Sequence, residues 1–275
     1  GVPNVGRTST PELTGIAGSY LAQGISLTTM GFGTHYDDRL MAAMADEGGG
    51  NYHFINDSSA LAGVFSEELD TLLQTVARAT TVVVELGPDL DVDEVYGFPY
   101  QRTGQRLQLS LAEFHTGQSK NILLKLRSKA QNPGPLEALK VILAYDDLIH
   151  DTHADQYVAV NTVVTNDATK VEEAINRNVI ARVQEVEVAR TLDRAVTYYE
   201  QGNRVEAQKE IAKGRENVKK AQRRFKLPAA ISSKADAVFA EPEAKFQDAN
   251  SPVDKNVVYE SRARGRSIVT DSTSF

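Results

Sequence analysis

The sequence predicts an α/β layer, then antiparallel β-strands, then α-helices, and three successive hydrophobic patterns support this order. In residues 10–78, segments with apolar residues at helical spacing alternate with short strand-like segments. In residues 80–165 the period changes to two, which places every second side chain on one face of a sheet. From residue 168 to residue 225 the helical period returns. The predicted fold class is α/β, followed by an antiparallel β-sandwich and an α-helical hairpin.

The α/β part consists of predicted helices that alternate with short predicted strands. Thr10 and Pro11 are suited to the start of the first helix, and Gly24 is suited to its end. The predicted elements are a helix at 10–24, a strand at 25–33, a helix at 36–45, a strand at 51–56 and a helix from 58 to about 78. Strands and helices that alternate in this way predict a parallel sheet covered on both faces. We assign residues 1–79 to this layer.

The middle of the chain is predicted to be all β. Leu107, Leu109 and Leu111 alternate with polar residues, so one face of this strand lies in a core and the other in water. The predicted strands are 80–86, 106–114, 120–129, 136–145 and 156–165. Several antiparallel strands at this spacing favour a β-sandwich over residues 80–167.

The last part of the chain is predicted to be a helical hairpin and a tail. Gly202 and Asn203 separate two helical segments within residues 168–226, which predicts an αα-hairpin. The segment AVTYYEQGNRVEAQKEIAKG resembles one tetratricopeptide unit. A single unit cannot stack into a solenoid, so a hairpin that packs on its own protein is the favoured interpretation. Residues 227–275 show no sustained period and are predicted to form an extended, partly disordered tail.

Composition excludes several classes of function. The chain has 275 residues, of which 41% are hydrophobic and 24% charged, values typical of globular proteins. No apolar run approaches the roughly 18–20 residues that cross a bilayer, so no transmembrane span is expected. The absence of cysteine excludes disulfides, thiolate zinc sites, iron–sulfur clusters and a cysteine nucleophile. The absence of cysteine does not decide between a cytoplasmic and an extracytoplasmic location.

Nucleic acid is not expected as a partner. The formal net charge of the whole chain is −7, whereas nucleic-acid-binding proteins are usually basic. The segment 204–225 is an exception, with eight basic residues against three acidic ones. A charged helix face is usually a solvated surface, and this one lacks the aromatic residues on which bases stack. The basic segment could also dock on an acidic surface of the same protein or of a partner, and the sequence does not decide between these alternatives.

Two segments carry acidic or histidine side chains that could bind a metal ion. DLDVDE places Asp89, Asp91 and Asp93 at alternate positions, but an EF-hand loop requires glycine at its sixth position and glutamate at its twelfth. A solvated turn or strand edge is therefore favoured. HDTHAD contains His150 and His153 at a spacing that zinc could use, but no third ligand can be assigned, so a hairpin loop is favoured.

No enzyme site is predicted. His35, His53 and His115 are isolated in the sequence, and no serine–histidine–acid order is recognisable. A phosphate-binding GxxxxGK[ST] loop is missing, as is a GxGxxG motif that opens a helix after a strand. We therefore predict no catalytic and no cofactor-binding residue, and we expect a protein that is not an enzyme.

The first 80 residues resemble the C-terminal half of a bacterial von Willebrand factor A (VWA) domain. The resemblance rests on GVPNVG, GIAGSYLAQGISLTTMGFG, YDDRLMAAMADEGGGNYHFIND and the FSEEL helix, in this order and spacing. The predicted sandwich and hairpin are similar to the accessory region of bacterial VWA proteins called calcium-activated chloride channel homologues. The resemblance implies a partial Rossmann-like half-domain that polypeptide upstream of Gly1 would complete.

The same resemblance implies where a metal would bind. VWA domains hold a divalent ion, here expected to be Mg²⁺, at a metal-ion-dependent adhesion site built from a DxSxS loop, a threonine and an aspartate. The expected ligands lie upstream of Gly1, so no metal-ligating residue is assigned within this chain. DSTSF at residues 271–275 has Phe275 where the second serine should be, and we regard it as a chance match.

The function implied by the resemblance is a protein–protein interaction or adhesion module. It would depend on metal only if the upstream sequence completed the domain, and its protein ligand is unknown. The alternative is a structural or assembly subunit whose VWA-like half binds no metal. A periplasmic, cell-surface or secreted location is favoured over a cytoplasmic one.

Overall fold

A computed structural model describes residues 2–248 and 251–270 of the chain. The chain forms two compact units, which comprise residues 1–173 and residues 174–275. The first unit holds the α/β layer and all strands of the described residues. The second unit is helical.

The α/β layer contains three helices and a two-stranded parallel sheet. Its elements are α1 (Thr10–Leu21), β1 (Leu27–Phe32), α2 (Asp38–Glu47), β2 (Gly49–Ile55) and α3 (Ser58–Leu73). Asp37 precedes α2 and accepts a hydrogen bond from the Leu40 amide at 3.0 Å, which satisfies one of the free donors at the helix start. Strands β1 and β2 are in parallel register, with Met30 opposite His53. The predicted alternation of helices and strands is therefore present.

Helices α1 and α2 cover one face of this sheet. Thr29 is buried and its hydroxyl donates to the carbonyl oxygen of Met41 in α2, at 2.8 Å. The apolar residues that are buried in this layer are Ala17, Leu21, Tyr36, Leu40, Ala45 and Ile55. Helix α3 interacts with the sheet through side chains of the opposite face, which include Thr28 and His53.

The remaining strands of the first unit form two antiparallel sheets around one core. They are β3 (Thr75–Leu86), β4 (Leu90–Tyr96), β5 (Tyr100–Thr103), β6 (Arg106–His115), β7 (Leu123–Ser128), β8 (Gly134–Asp147) and β9 (Thr152–Val164). One sheet has five strands in the order β5-β6-β3-β8-β9, and the other pairs β4 with β7. Leu107 and Leu109 of β6 are fully buried in the shared core, as their alternation predicts. The prediction of antiparallel strands is confirmed.

Several element boundaries differ from the sequence prediction, and β4 was not among the predicted strands. Helix α3 ends at Leu73, whereas we expected it to continue to about Arg78. The reason is that β-branched Thr75 and Val76 already belong to β3, which continues past a bulge at Ala79 where φ is +50°. Asp89–Glu94 falls largely within β4, and the short strand β5 was not predicted.

The first unit ends in α4 (Ala168–Glu173), and the described residues of the second unit contain four helices. They are α5 (Arg177–Glu200), α6 (Arg204–Phe225), α7 (Ala229–Gln247) and α8 (Lys255–Thr270). Asn176 begins α5 by accepting a hydrogen bond from the Asn178 amide at 3.0 Å. Gly202, at φ +80°, provides the break between α5 and α6 that the sequence predicts.

The prediction of an extended tail over residues 227–275 is wrong, because the chain forms α7 and α8 there. Phe239, Phe246 and Ile268 are fully buried, because apolar residues recur at helical spacing within this alanine-rich stretch. The ring of Phe246 lies 4.7 Å from that of Tyr199 on α5, measured between centroids. The NVVYES segment lies within α8 and is helical rather than extended. Residues 271–275, which carry the DSTSF motif, lie outside the described residues.

Candidate functional site

Open α/β sheets bind ligands at the carboxyl ends of their strands, so the carboxyl ends of β1 and β2 are a candidate ligand site. Asp37 follows β1 and caps α2, while Asp57 follows β2 and accepts a hydrogen bond from the Ser59 amide at 2.9 Å. This bond holds the pKa of Asp57 below its usual value. Asp38 is buried in the first turn of α2, where a helix N-terminus favours an acidic residue. Two of the three carboxylates at this edge therefore organise helix starts.

An aromatic pair fixes the turn after β1. Tyr36 lies across the backbone of Gly31, where a methyl group added to the glycine would be 2.0 Å from Cζ of the tyrosine. The hydroxyl of Tyr36 is 2.8 Å from the hydroxyl of Tyr52 on β2. The glycine of the MGFG turn thus permits a ring to pack directly on the strand. This packing therefore fixes the position of the turn that follows β1.

A half-buried polar cluster lies at the opposite, amino-terminal end of the two strands. Glu68 of α3 lies 2.7 Å from Nε2 of His53, accepts a hydrogen bond from the Asn51 amide group at 3.0 Å and accepts another from the Thr28 hydroxyl at 3.1 Å. These hydrogen bonds, with that to His53 the largest, hold the pKa of Glu68 below its usual value against the effect of burial. We call Thr28, Asn51, His53 and Glu68 the α3 clamp, because it fastens α3 to both strands.

The α/β layer leaves a large apolar surface uncovered. Strand β1 pairs with β2 on one side, and within the described residues its other edge carries no strand. Beside this edge, Ile25 and Phe32 are 53% and 58% exposed. On α3, Phe65, Leu69 and Leu73 follow each other at four-residue spacing, so they form one stripe, and all are more than half exposed. We call this set of five residues the open apolar surface.

Two carboxylates of the DLDVDE segment, those of Asp91 and Asp93, are paired with basic side chains. Asp91 accepts hydrogen bonds from Arg102 at 2.7 Å and from Lys129 at 3.1 Å, and these bonds lower its pKa to about 2. Asp93 lies 2.6 Å from Arg127. Asp91 and Asp93 both lie in β4, where their carboxylates pair with Arg102, Arg127 and Lys129. The structure therefore favours the strand-edge interpretation over a calcium loop.

The two histidines of HDTHAD face different aspartates at the β8–β9 turn. Nδ1 of His150 lies 2.9 Å from Asp147, and Nδ1 of His153 lies 3.0 Å from Asp146. The segment begins in the turn after β8 and continues into β9, so a hairpin is formed and residues 152–155 are already part of its second strand. Within the described residues, no group of three or more His, Cys, Asp or Glu side chains could hold a metal ion.

Most basic residues of α6 have partners within the helical unit. Arg215 lies 2.8 Å from Asp236 and 2.6 Å from Glu243 on α7, while Lys209 and Lys213 pair with glutamates one turn earlier. Of the residues that carry the tetratricopeptide resemblance, Ala195 and Ala207 are fully buried, whereas Tyr198 is 37% exposed and its neighbour Tyr199 is buried instead. This arrangement favours a structural role for the hairpin.

Among the residues that the structure describes, no helix combines the length and the apolar composition that a membrane span requires.

Comparison with known proteins gives the fold class. No family model matches the chain. The uncharacterized protein YfbK of Escherichia coli (strain K12) is 30% identical over 86 residues, which cover 31% of this chain and 15% of that protein. A von Willebrand factor type A structure from Catenulispora acidiphila has a TM-score of 0.70 at 14% identity and covers 94% of this chain. The ArnB paralog VWA2 from Sulfolobus acidocaldarius has a TM-score of 0.52 at 17% identity and covers 90% of this chain.

These similarities show a VWA-type fold. The chain spans 61% and 57% of the lengths of the two solved structures. The sequence resemblance had identified this fold from the first 80 residues. The α3 clamp was missed, because its members lie far apart in the sequence and only the fold brings them together.

Proposed function

We propose that this chain is part of a non-enzymatic protein-interaction module of the VWA type, and that polypeptide preceding residue 1 completes its α/β sheet. Two observations carry the proposal: β1 has no second strand neighbour within the described residues, and the five residues of the open apolar surface are more than half exposed. A parallel sheet is normally buried on both faces, so a two-stranded one needs further strands and helices. The longer relatives supply a reason to expect such additional polypeptide, since the chain spans 61% of the length of one of them.

In this proposal the chain is the C-terminal half of the VWA domain together with its accessory β-sandwich and helical hairpin, as in bacterial calcium-activated chloride channel homologues. The added strand would pair with the free edge of β1. The added helices would cover Phe65, Leu69 and Leu73. Burial of a large apolar side chain contributes about 1.5–3 kcal/mol, so these three residues could stabilise the complete domain substantially.

The adhesion function would rest on Mg²⁺ held by the preceding polypeptide. The carboxylates that this chain presents at the sheet edge do not form a ligand set, since Asp37 and Asp57 cap helices. We therefore assign no metal ligand to this chain. In this proposal the ion binds a carboxylate of a partner protein, and the chain acts as an adhesion module. Its location would be periplasmic, at the cell surface or secreted.

The alternative is an assembly subunit that never binds metal. The use of Asp37 and Asp57 as helix caps favours this alternative, because it leaves the sheet edge without free carboxylates from these two residues. The two functions differ in the preceding polypeptide. An intact DxSxS loop there, with partner binding that EDTA abolishes, supports adhesion, whereas EDTA-resistant binding supports assembly.

The completion of the domain can be tested with the preceding polypeptide supplied as a separate chain. We expect Leu69→Lys to weaken its association with the 275-residue chain by at least about tenfold, because a lysine would interrupt the apolar stripe. Gly63→Lys is the matched control: residue 63 is exposed on the same helix, and a side chain there meets nothing within 4 Å. Equal affinities for the two variants would contradict the proposal.

A further inference from the structure

The two edges of the five-stranded sheet differ sharply. At one edge, β5 has four residues, and its Arg102 pairs with Asp91. At the other edge, β9 has thirteen residues, and none from Gln156 to Val164 is charged. Proteins usually protect an edge strand by shortness, charge or proline. Strand β5 is short and carries a charge, whereas β9 is long and has neither a charged residue nor a proline between Gln156 and Val164.

Strand β9 is also exposed on both faces. Tyr157 is 72% exposed and Val158 is 56% exposed, although they point to opposite faces of the sheet. The facing sheet consists of β4 and β7, and β9 joins the core between the sheets through Val164 at its end. Along this strand, apolar side chains and one row of backbone hydrogen-bonding groups are therefore available to another chain.

We propose that β9 pairs with β9 of a second copy, antiparallel about a two-fold axis at Val158, so that the two five-stranded sheets continue into one. An axis at the middle of the strand lets all thirteen residues of each copy pair. In this register Val158 lies opposite Val158, and Gln156 lies opposite Val160. Such cross-strand pairs are the unit of sheet stabilisation.

The charges of β9 fit this register. Asp155 of one copy lies opposite Asn161 of the other, and His153 lies opposite Val163, so no like charges meet. A two-fold interface requires this kind of self-complementarity, since the same patch serves both copies. Thirteen residues a side is fewer than the roughly 20–30 of a standard stable interface. The dimer is therefore reversible and depends on concentration.

Analytical ultracentrifugation of the 275-residue chain and its variants tests the proposal. Val158→Lys and Val158→Glu each place two like charges opposite each other, and each raises the dimer dissociation constant roughly tenfold or more. An equimolar mixture of the two variants restores the dimer, because lysine then faces glutamate. Gln101→Lys on β5 is the matched control and leaves the dimer unchanged.

A cross-link tests the register independently. The chain contains no cysteine, so Val158→Cys introduces a single thiol. Directly opposed residues in antiparallel strands are close enough for a disulfide, and mild oxidation should yield a covalent dimer. Gln101→Cys should not. A monomer at all concentrations, a dimer that persists in Val158→Lys, or a mixture that fails to restore the dimer would overturn the proposal.

Discussion

Nε2 of His53 on β2 lies 2.7 Å from a carboxylate oxygen of Glu68 on α3, and this pair fastens the last helix of the α/β layer to its sheet. Side chains of Asn51 and Thr28 donate to the same carboxylate. The pair is mostly shielded, with 23% and 18% of the two side chains exposed. Three hydrogen bonds to the carboxylate of Glu68 stabilise its ionised form relative to its protonated form.

Loss of the Glu68 charge should destabilise the first unit. We expect Glu68→Gln to lower the free energy of unfolding by about 1 kcal/mol at neutral pH, measured by urea denaturation. The pKa of Glu68 is lowered in the folded state, so its contribution is present above the usual value of 4.5 and disappears as pH falls through the lower folded value. The difference between wild type and variant should therefore shrink below about pH 4.5.

A matched control for this experiment is Glu172→Gln, because Glu172 is exposed at the end of α4. It should change stability by less than about 0.5 kcal/mol at any pH. A Glu68→Gln variant as stable as Glu172→Gln at neutral pH would show that the α3 clamp contributes nothing.

Gly31 should tolerate no side chain. An added methyl group would lie 2.0 Å from the ring of Tyr36, so Gly31→Ala must displace the ring or the strand. We expect a loss of about 1–3 kcal/mol of stability. Gly63→Ala, in open space on α3, should instead be neutral or stabilising by up to about 1 kcal/mol. Thermal melts of both variants check this, and a Gly31→Ala melt like that of Gly63→Ala would be inconsistent with the packing.

Arg215 should be the most important cation of α6 for the stability of the helical unit. It pairs with Asp236 and Glu243, and its guanidinium lies 5.8 Å from the ring centre of Phe239. We expect Arg215→Ala to cost about 1–3 kcal/mol, whereas Lys213→Ala, at a residue whose side chain is 68% exposed, costs less than about 0.5 kcal/mol. Chemical denaturation followed by helical circular dichroism separates the two outcomes, and similar costs would contradict this ranking.

The 275-residue chain should not bind Mg²⁺ at an adhesion-type site. Its described residues hold no group of three potential acidic or histidine ligands, and the sequence resemblance assigns the ligands to preceding polypeptide. Isothermal titration calorimetry should give no one-to-one isotherm at micromolar affinity. A clear stoichiometric isotherm would mean that ligands within the chain had been overlooked.

Much of the fold could be predicted from local pattern, but the second half of the helical unit could not. Leu107 and Leu109 alternate with polar residues so regularly that their burial was evident. In α7 the buried residues Ile231, Ala235 and Phe239 also follow helical spacing, yet alanine, serine and Pro242 around them suggested a tail. A proline within a helix is unfavourable locally, and here packing of the helix against its neighbours outweighs that cost.

The site could be predicted only in outline. The resemblance of the first 80 residues gave the VWA-type fold, because glycine turns and helix starts are local features. The pairing of His53 with Glu68 depends on how α3 returns across the sheet, which no local pattern encodes. The need for a further strand beside β1, in contrast, already follows from the resemblance to half of a VWA domain, and within the described residues β1 pairs with β2 alone.

Amide hydrogen exchange along β1 tests the central claim most directly. The exchange of residues 27–32 would be compared between the 275-residue chain alone and the chain with its preceding polypeptide, with β6 as the internal reference. We predict that protection in β1 rises at least about tenfold when the preceding polypeptide is present, because its free edge gains a partner, while β6 does not change. Full protection of β1 in the chain alone, with no increase on addition, would show that the α/β layer is complete without a further strand.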